Sequence, residues 1–134
     1  YRLLPGDTIA AVLERMRGQV AAVIGPDHFE LSAAAGSIEA TPISSSGTEP
    51  FKLLHRTIRE VFPGVVVTPG LYLAGSDSVH FLGLSDNVFR FSPVRVTPQD
   101  VSRLHGTNER ISVDNLAELI RFYHRLLTMG AQAS

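Results

Sequence analysis

Between Arg103 and Ser112 a single histidine, His105, stands among the turn-forming and acidic residues Gly106, Thr107, Asn108 and Glu109, directly before an amphipathic run. Imidazole is a common zinc ligand, and a neighbouring acceptor is needed to fix its tautomer. Asn108 or Glu109 could supply that acceptor, or could simply order the loop. The plain alternative is a surface histidine. A second polar cluster, Gly75, Ser76, Asp77 and Ser78, follows an apolar run and reads as a turn into a helix. Small residues there permit close approach of a ligand to the backbone, and helix N-terminal amides attract a carboxylate. The plain alternative is an ordinary helix cap, made by Ser76 or Asp77.

The other four histidines carry less. His28 follows Pro26-Asp27 in a turn, His55 lies off the apolar stripe of its helix, and His124 sits on the last helix. His80 follows the serine-aspartate cluster closely and is the least settled of them. Their spacing forms no HExxH arrangement, and there is no GxSxG elbow, P-loop or dinucleotide fingerprint. With no cysteine in the 134 residues, disulfides and thiolate ligands are excluded, so a metal would take histidine, carboxylate or water.

Composition places the chain among folded domains: 44% hydrophobic and 19% charged. A net charge of −1 and a pI near 6.6 give no electrostatic case for nucleic acid or an anionic membrane. No apolar run approaches the roughly 20 residues of a membrane span. Cytoplasmic placement is the default expectation. The sequence opens on Tyr1 inside a strand-like run, without Met, which leads to the expectation of a longer chain.

The elements that must position these residues read as follows. Tyr1–Leu4 is a strand candidate closed by Pro5-Gly6, and Asp7 or Thr8 can cap the next helix. Ile9, Val12, Leu13, Met16 and Val20 form one helical face, ended by Gly25-Pro26. Phe29–Ala33 alternates like a half-buried strand, so residues 1–35 read strand, helix, strand. Residues 36–50 turn to Gly, Ser, Thr and Pro and read as a connector. Phe51, Leu54, Ile58 and Val61 or Phe62 mark a helix stopped by Pro63-Gly64. Val65–Thr68, Leu71–Ala74, Val88–Phe91 and Val94–Val96 are strand candidates, with a short helix from Ser78 to Leu84 and a possible turn from Pro98 to Leu104. Ser112 caps the last helix, whose expected buried stripe is Val113, Leu116, Leu119, Ile120, Tyr123, Leu126 and Leu127. Strands alternating with helices imply an α/β class.

In order along the chain, several segments resemble the C-terminal part of the aminoacylase and carboxypeptidase-S family of two-zinc metallopeptidases. Arg2-Leu-Leu-Pro-Gly-Asp7-Thr8 resembles the start of a strand and helix in that family's small lid domain. Leu53 to Gly64 resembles the helix that returns to the catalytic domain. Gly75-Ser76-Asp77-Ser78-Val79-His80-Phe81 resembles the family's "G-T-D-S-R-H-Y" turn, and Phe89 to Pro93 with Ile111 to Val113 frame the His105 segment.

That resemblance implies an α/β fold: residues 1–35 as the second half of a βαβ lid (dimerisation) domain, 36–50 as a connector, and 51–134 as the C-terminal part of a zinc-peptidase catalytic domain. It implies that His105 is the last zinc ligand, and that Arg2 meets the substrate carboxylate, where a guanidinium can pair through two hydrogen bonds. Gly75, Ser76 and Asp77 would line the substrate site. The implied reaction is hydrolysis of the amide bond of an N-acyl amino acid or small peptide, with two zinc ions in the complete enzyme and a glutamate general base. The family's other metal ligands and that base match nothing in this chain, and Val79 stands where the family has Arg. One histidine cannot hold a catalytic zinc. The chain alone is therefore expected to be inactive and to associate with the remaining polypeptide or with itself. The alternatives are a non-catalytic dimerisation module, in which His105 is structural, or a truncated remnant.

Overall fold

Helices carry all the regular structure of the computed structural model, which describes residues 1–132. The expected span 51–134 therefore includes two residues, Ala133 and Ser134, outside the described set. Among the described residues four α-helices follow one another: α1 (Ile9–Ile24), α2 (Glu49–Val61), α3 (Pro98–Val101) and α4 (Val113–Gln132), with a 3-10 turn at Asp77–Phe81. The chain forms two units that alternate along it, Tyr1–Ser44 with Leu71–Val88, and Ser45–Gly70 with Phe89 onward.

In the first unit α1 starts where the Thr8 hydroxyl accepts the Ala11 N–H at 3.1 Å, one of the two caps the sequence offered. The Glu39 carboxylate accepts a second unpaired donor, the Ile9 N–H, at 2.9 Å, so a distant residue completes the cap. Gly25 ends the helix. Val12 is buried and Ile9, Leu13, Met16 and Val20 are half-buried, in keeping with their period. The Ser44 hydroxyl binds both backbone groups of Val88, donating to its carbonyl at 3.1 Å and accepting its N–H at 2.9 Å.

The second unit is built on α2 against α4. Ile58, Phe62 and Phe122 form its core, with Leu54, Val61, Val65, Val67 and Leu126 packed around them. The Phe122 ring lies 6.3 Å from Phe62 and 5.2 Å from Phe91, spacings that suit tilted aromatic pairs. Thr57 is fully buried, and its hydroxyl is satisfied by the Leu53 carbonyl at 2.9 Å. Arg125 Nε donates to Glu60 at 2.6 Å and joins the two helices at their solvent edge.

Two expectations are corrected here. No strand is present among the described residues, so the segments 1–4, 29–33, 65–68, 71–74, 88–91 and 94–96 carry neither strand nor helix, and the βαβ lid has no sheet. Burial still alternates where the pattern predicted it: Val65 and Val67 are half-buried while Val66 is 91% exposed. A strand, however, is defined by a neighbour that takes its backbone hydrogen bonds, and alternation supplies only the faces. The second correction concerns α4. Asn115, Phe122 and Met129 are its buried residues, with Leu119 and Leu126 half-buried, whereas Val113, Leu116, Ile120, Tyr123 and Leu127 are exposed. The helix carries two apolar stripes, and α2 covers one.

Candidate functional site

His105 occupies a tight turn after α3. The Thr97 hydroxyl and N–H both donate to Asp100, at 2.6 and 3.0 Å, closing a capping box that starts α3. Those bonds, the hydroxyl's foremost, hold the Asp100 carboxyl below its ordinary value. Arg103 Nη1 then donates to Asp100 at 2.9 Å. The Gly106 N–H closes on the Arg103 carbonyl at 2.9 Å. His105 is thereby held at φ 58°, in the left-handed region that few residues with a side chain adopt, and Asn108 follows at φ 62°. Gly106 suits this turn: a Cβ there would crowd the Ser102 carbonyl oxygen at 3.0 Å. The imidazole is exposed, and neither Asn108 nor Glu109 hydrogen-bonds it among the described residues.

Arg2 and the Gly75 turn come together within the first unit. A Cβ on Gly75 would stand 3.2 Å from Arg2 Nη1, so the bare backbone of glycine admits the guanidinium. Ser76 occupies the cap position before the 3-10 turn, but its side chain makes no capping bond. Its hydroxyl pairs with that of Ser78 at 2.7 Å. Asp77 is exposed in the first turn, beside half-buried Ser78 and Val79. Arg2 thus stands against the Gly75 backbone, at the start of the turn that carries Ser76, Asp77 and Ser78. His105 belongs to the other unit.

A zinc site needs about three protein donors with one open position. Among the described residues no three His, Asp or Glu side chains gather where they could hold an ion. His105 offers one donor, and this chain's residues do not by themselves fit the metal. Among the described residues no helix is long and apolar enough to cross a membrane.

The sequence reading missed Asn115. Only 5% exposed, it joins two distant points of the chain: its Oδ1 accepts the Arg95 N–H at 3.1 Å and its Nδ2 reaches the Pro93 carbonyl at 3.5 Å. The available signal was a polar residue in register with Leu119, Phe122 and Leu126 on what proves to be the inner face of α4.

No family model matches the chain, and no solved structure matches it. Curated relatives do. It is 36% identical over 95% of its length to "Probable carboxypeptidase S-like 2" of Dictyostelium discoideum, covering 24% of that protein. It is 37% identical over 95% of its length to an N-fatty-acyl-amino acid synthase/hydrolase of Xenopus tropicalis, covering 24%. The human protein of the same name is 32% identical over 95% of this chain, which covers 25% of it. The chain thus spans about a quarter of the length of the relatives it matches.

Proposed function

We propose, from the premise that this chain belongs to the aminoacylase and carboxypeptidase-S family of peptidases, that it supplies the substrate-carboxylate contact and one metal-ligating histidine to a longer amidohydrolase. The family is one of α/β peptidases, and the α/β catalytic and lid portions expected at 51–134 and 1–35 belong to this proposal. Its substrate would be an N-acyl amino acid or small peptide. Arg2 would pair with the free carboxylate, and Gly75 keeps the space that the guanidinium needs. Ser76 and Asp77 would offer polar atoms at the same turn. His105 would be one ligand of a metal centre, with its other donors and the general base outside this chain.

The observation that supports this reading is the approach of Arg2 to Gly75, two residues 73 positions apart that the family resemblance gives to one substrate site. The outer stripe of α4 adds to it. Val113, Leu116, Ile120, Tyr123 and Leu127 are spaced 3, 4, 3 and 4 residues apart and stay 42% or more exposed. A continuous apolar face of that kind is a surface for further polypeptide.

The test uses the longer protein with Arg2→Ala. An N-acyl amino acid should show KM raised about ten-fold or more, consistent with loss of a charge-assisted pair. Its primary-amide counterpart, which lacks the carboxylate, should change by less than about two-fold. Equal effects on both substrates would contradict the role given to Arg2.

A further inference from the structure

The loop bearing His105 leaves the core after Arg95 and returns at Ser112, and the buried side chain of Asn115, in the first turn of α4, ties the outgoing stem to the returning one. Asn115 Oδ1 accepts the Arg95 N–H at 3.1 Å, on the outgoing stem. Its Nδ2 reaches the Pro93 carbonyl of that stem at 3.5 Å and Glu118 Oε2 at 3.4 Å. On the returning stem the Asn115 N–H donates to the Ser112 hydroxyl at 3.1 Å, the cap that starts α4. Glu118, one turn further, receives two hydrogen bonds from the Arg95 side chain at 2.7 and 2.8 Å, and the Arg95 guanidinium lies 5.2 Å from the Phe62 ring centre. Between the stems the hydrogen bonds among the described residues are short and local, among them those from Thr97 and Arg103 to Asp100 and from Gly106 to Arg103.

We infer that Asn115 is a positioning residue: standing where the loop 96–111 returns into α4, its side chain clasps the outgoing stem and so fixes where the His105 turn stands on the second unit. The chemistry selects asparagine. The Arg95 N–H needs an acceptor and the Pro93 carbonyl needs a donor, and a carboxamide presents both in one plane. A leucine in this register would fill the space and leave a backbone N–H unpaired against a buried surface. Aspartate would accept from Arg95 but set a second negative charge against Glu118. Compact surface loops of this length, closed at their ends, hold shape through their stems. A left-handed histidine at the tip therefore depends on a clasp some ten residues away in either direction. The inference rests on the proposed role of His105 for its functional meaning, whereas the clasp itself does not.

The experiment compares Asn115→Ala with the parent in the full-length protein, by amide hydrogen exchange and by the ring resonances of the histidines. The Arg95 amide and those of Arg103 to Gly106 should exchange at least ten-fold faster, and the His105 ring resonance should move. The amides of α2 and the ring resonances of His55 and His124 should stay in place. Unchanged exchange at those amides with an unmoved His105 resonance would overturn the inference. If Asn115→Ala exposes α2 as well, Glu118→Gln becomes decisive, because it keeps the clasp's shape and weakens its flank. At least two-fold faster exchange at Arg95 and at 103–106 then supports the clasp, and no change overturns it. A loosened loop with undiminished hydrolysis would keep the clasp and count against the metal role of His105, so the two failures are separable.

Discussion

Arg95 and Glu118 meet through two parallel hydrogen bonds, Nε to Oε2 at 2.7 Å and Nη2 to Oε1 at 2.8 Å, across 23 residues of sequence. The pair flanks Asn115 and ties the stem before α3 to the inner edge of α4. Hydrogen bonds from Arg95 hold the Glu118 carboxyl below the ordinary 4.5, and those from Arg125 do the same for Glu60.

Acid should therefore loosen the second unit at these two links. A carboxyl whose folded pKa is lowered contributes stability that is present above its ordinary 4.5 and is lost as pH falls through the lowered value. Exchange protection at Arg95 and along the α2–α4 seam should hold from pH 7 to about 5 and decline below that. Protection that rises on acidification would contradict the assignment.

The packing core predicts a steep cost at one position. Phe122 is 1% exposed and touches three other rings, so Phe122→Ala should cost about 3–5 kcal/mol by denaturant titration. Val66→Ala, at a side chain 91% exposed, should stay within about 0.5 kcal/mol. Similar losses at both would show that the core lies elsewhere.

At the Arg2 turn, Gly75→Ala should disturb binding more than folding. The added methyl meets only the far end of a flexible arginine at 3.2 Å, so stability should change by less than about 1 kcal/mol. The displaced guanidinium should nonetheless raise KM for a carboxylate-bearing substrate, measured in the longer protein. A large stability loss with unchanged KM would make this a packing glycine.

His105 offers a contrast between stability and function. Its left-handed backbone, φ 58°, costs a residue with a Cβ on the order of 1 kcal/mol, which glycine avoids. His105→Gly should leave the protein equally stable or up to about 1 kcal/mol more stable in thermal unfolding. Activity of the longer protein should fall all the same, as expected where strain is kept at a working site. A clear destabilisation would mark the ring as structural.

Local signals carried much of this fold, and non-local ones were silent. The periods of Ile9 to Val20 and of Phe51 to Phe62, together with Thr8, Gly25 and Ser112, set α1, α2 and the start of α4 close to where they stand. Alternation at Val65–Val67 marked two faces but could not say whether a neighbour takes the backbone bonds. The last helix has apolar residues on two stripes, and only the position of α2 decides that Phe122 goes in and Ile120 stays out. The family resemblance gave Arg2 and Gly75 to one substrate site, but their approach to each other, across 73 positions, was in no local pattern. The Asn115 clasp depends on partners 20 and 22 residues away that no local pattern announces, and the left-handed backbone of His105 arises in a turn that no periodicity marks.

The most direct measurement is the metal content of the longer protein, purified with and without His105→Ala, alongside its hydrolysis of an N-acyl amino acid. The account predicts that the variant folds, retains less bound metal per protein than the parent, and loses hydrolysis by at least a hundred-fold, about 2.7 kcal/mol of barrier. Parental metal content with undiminished hydrolysis would contradict it.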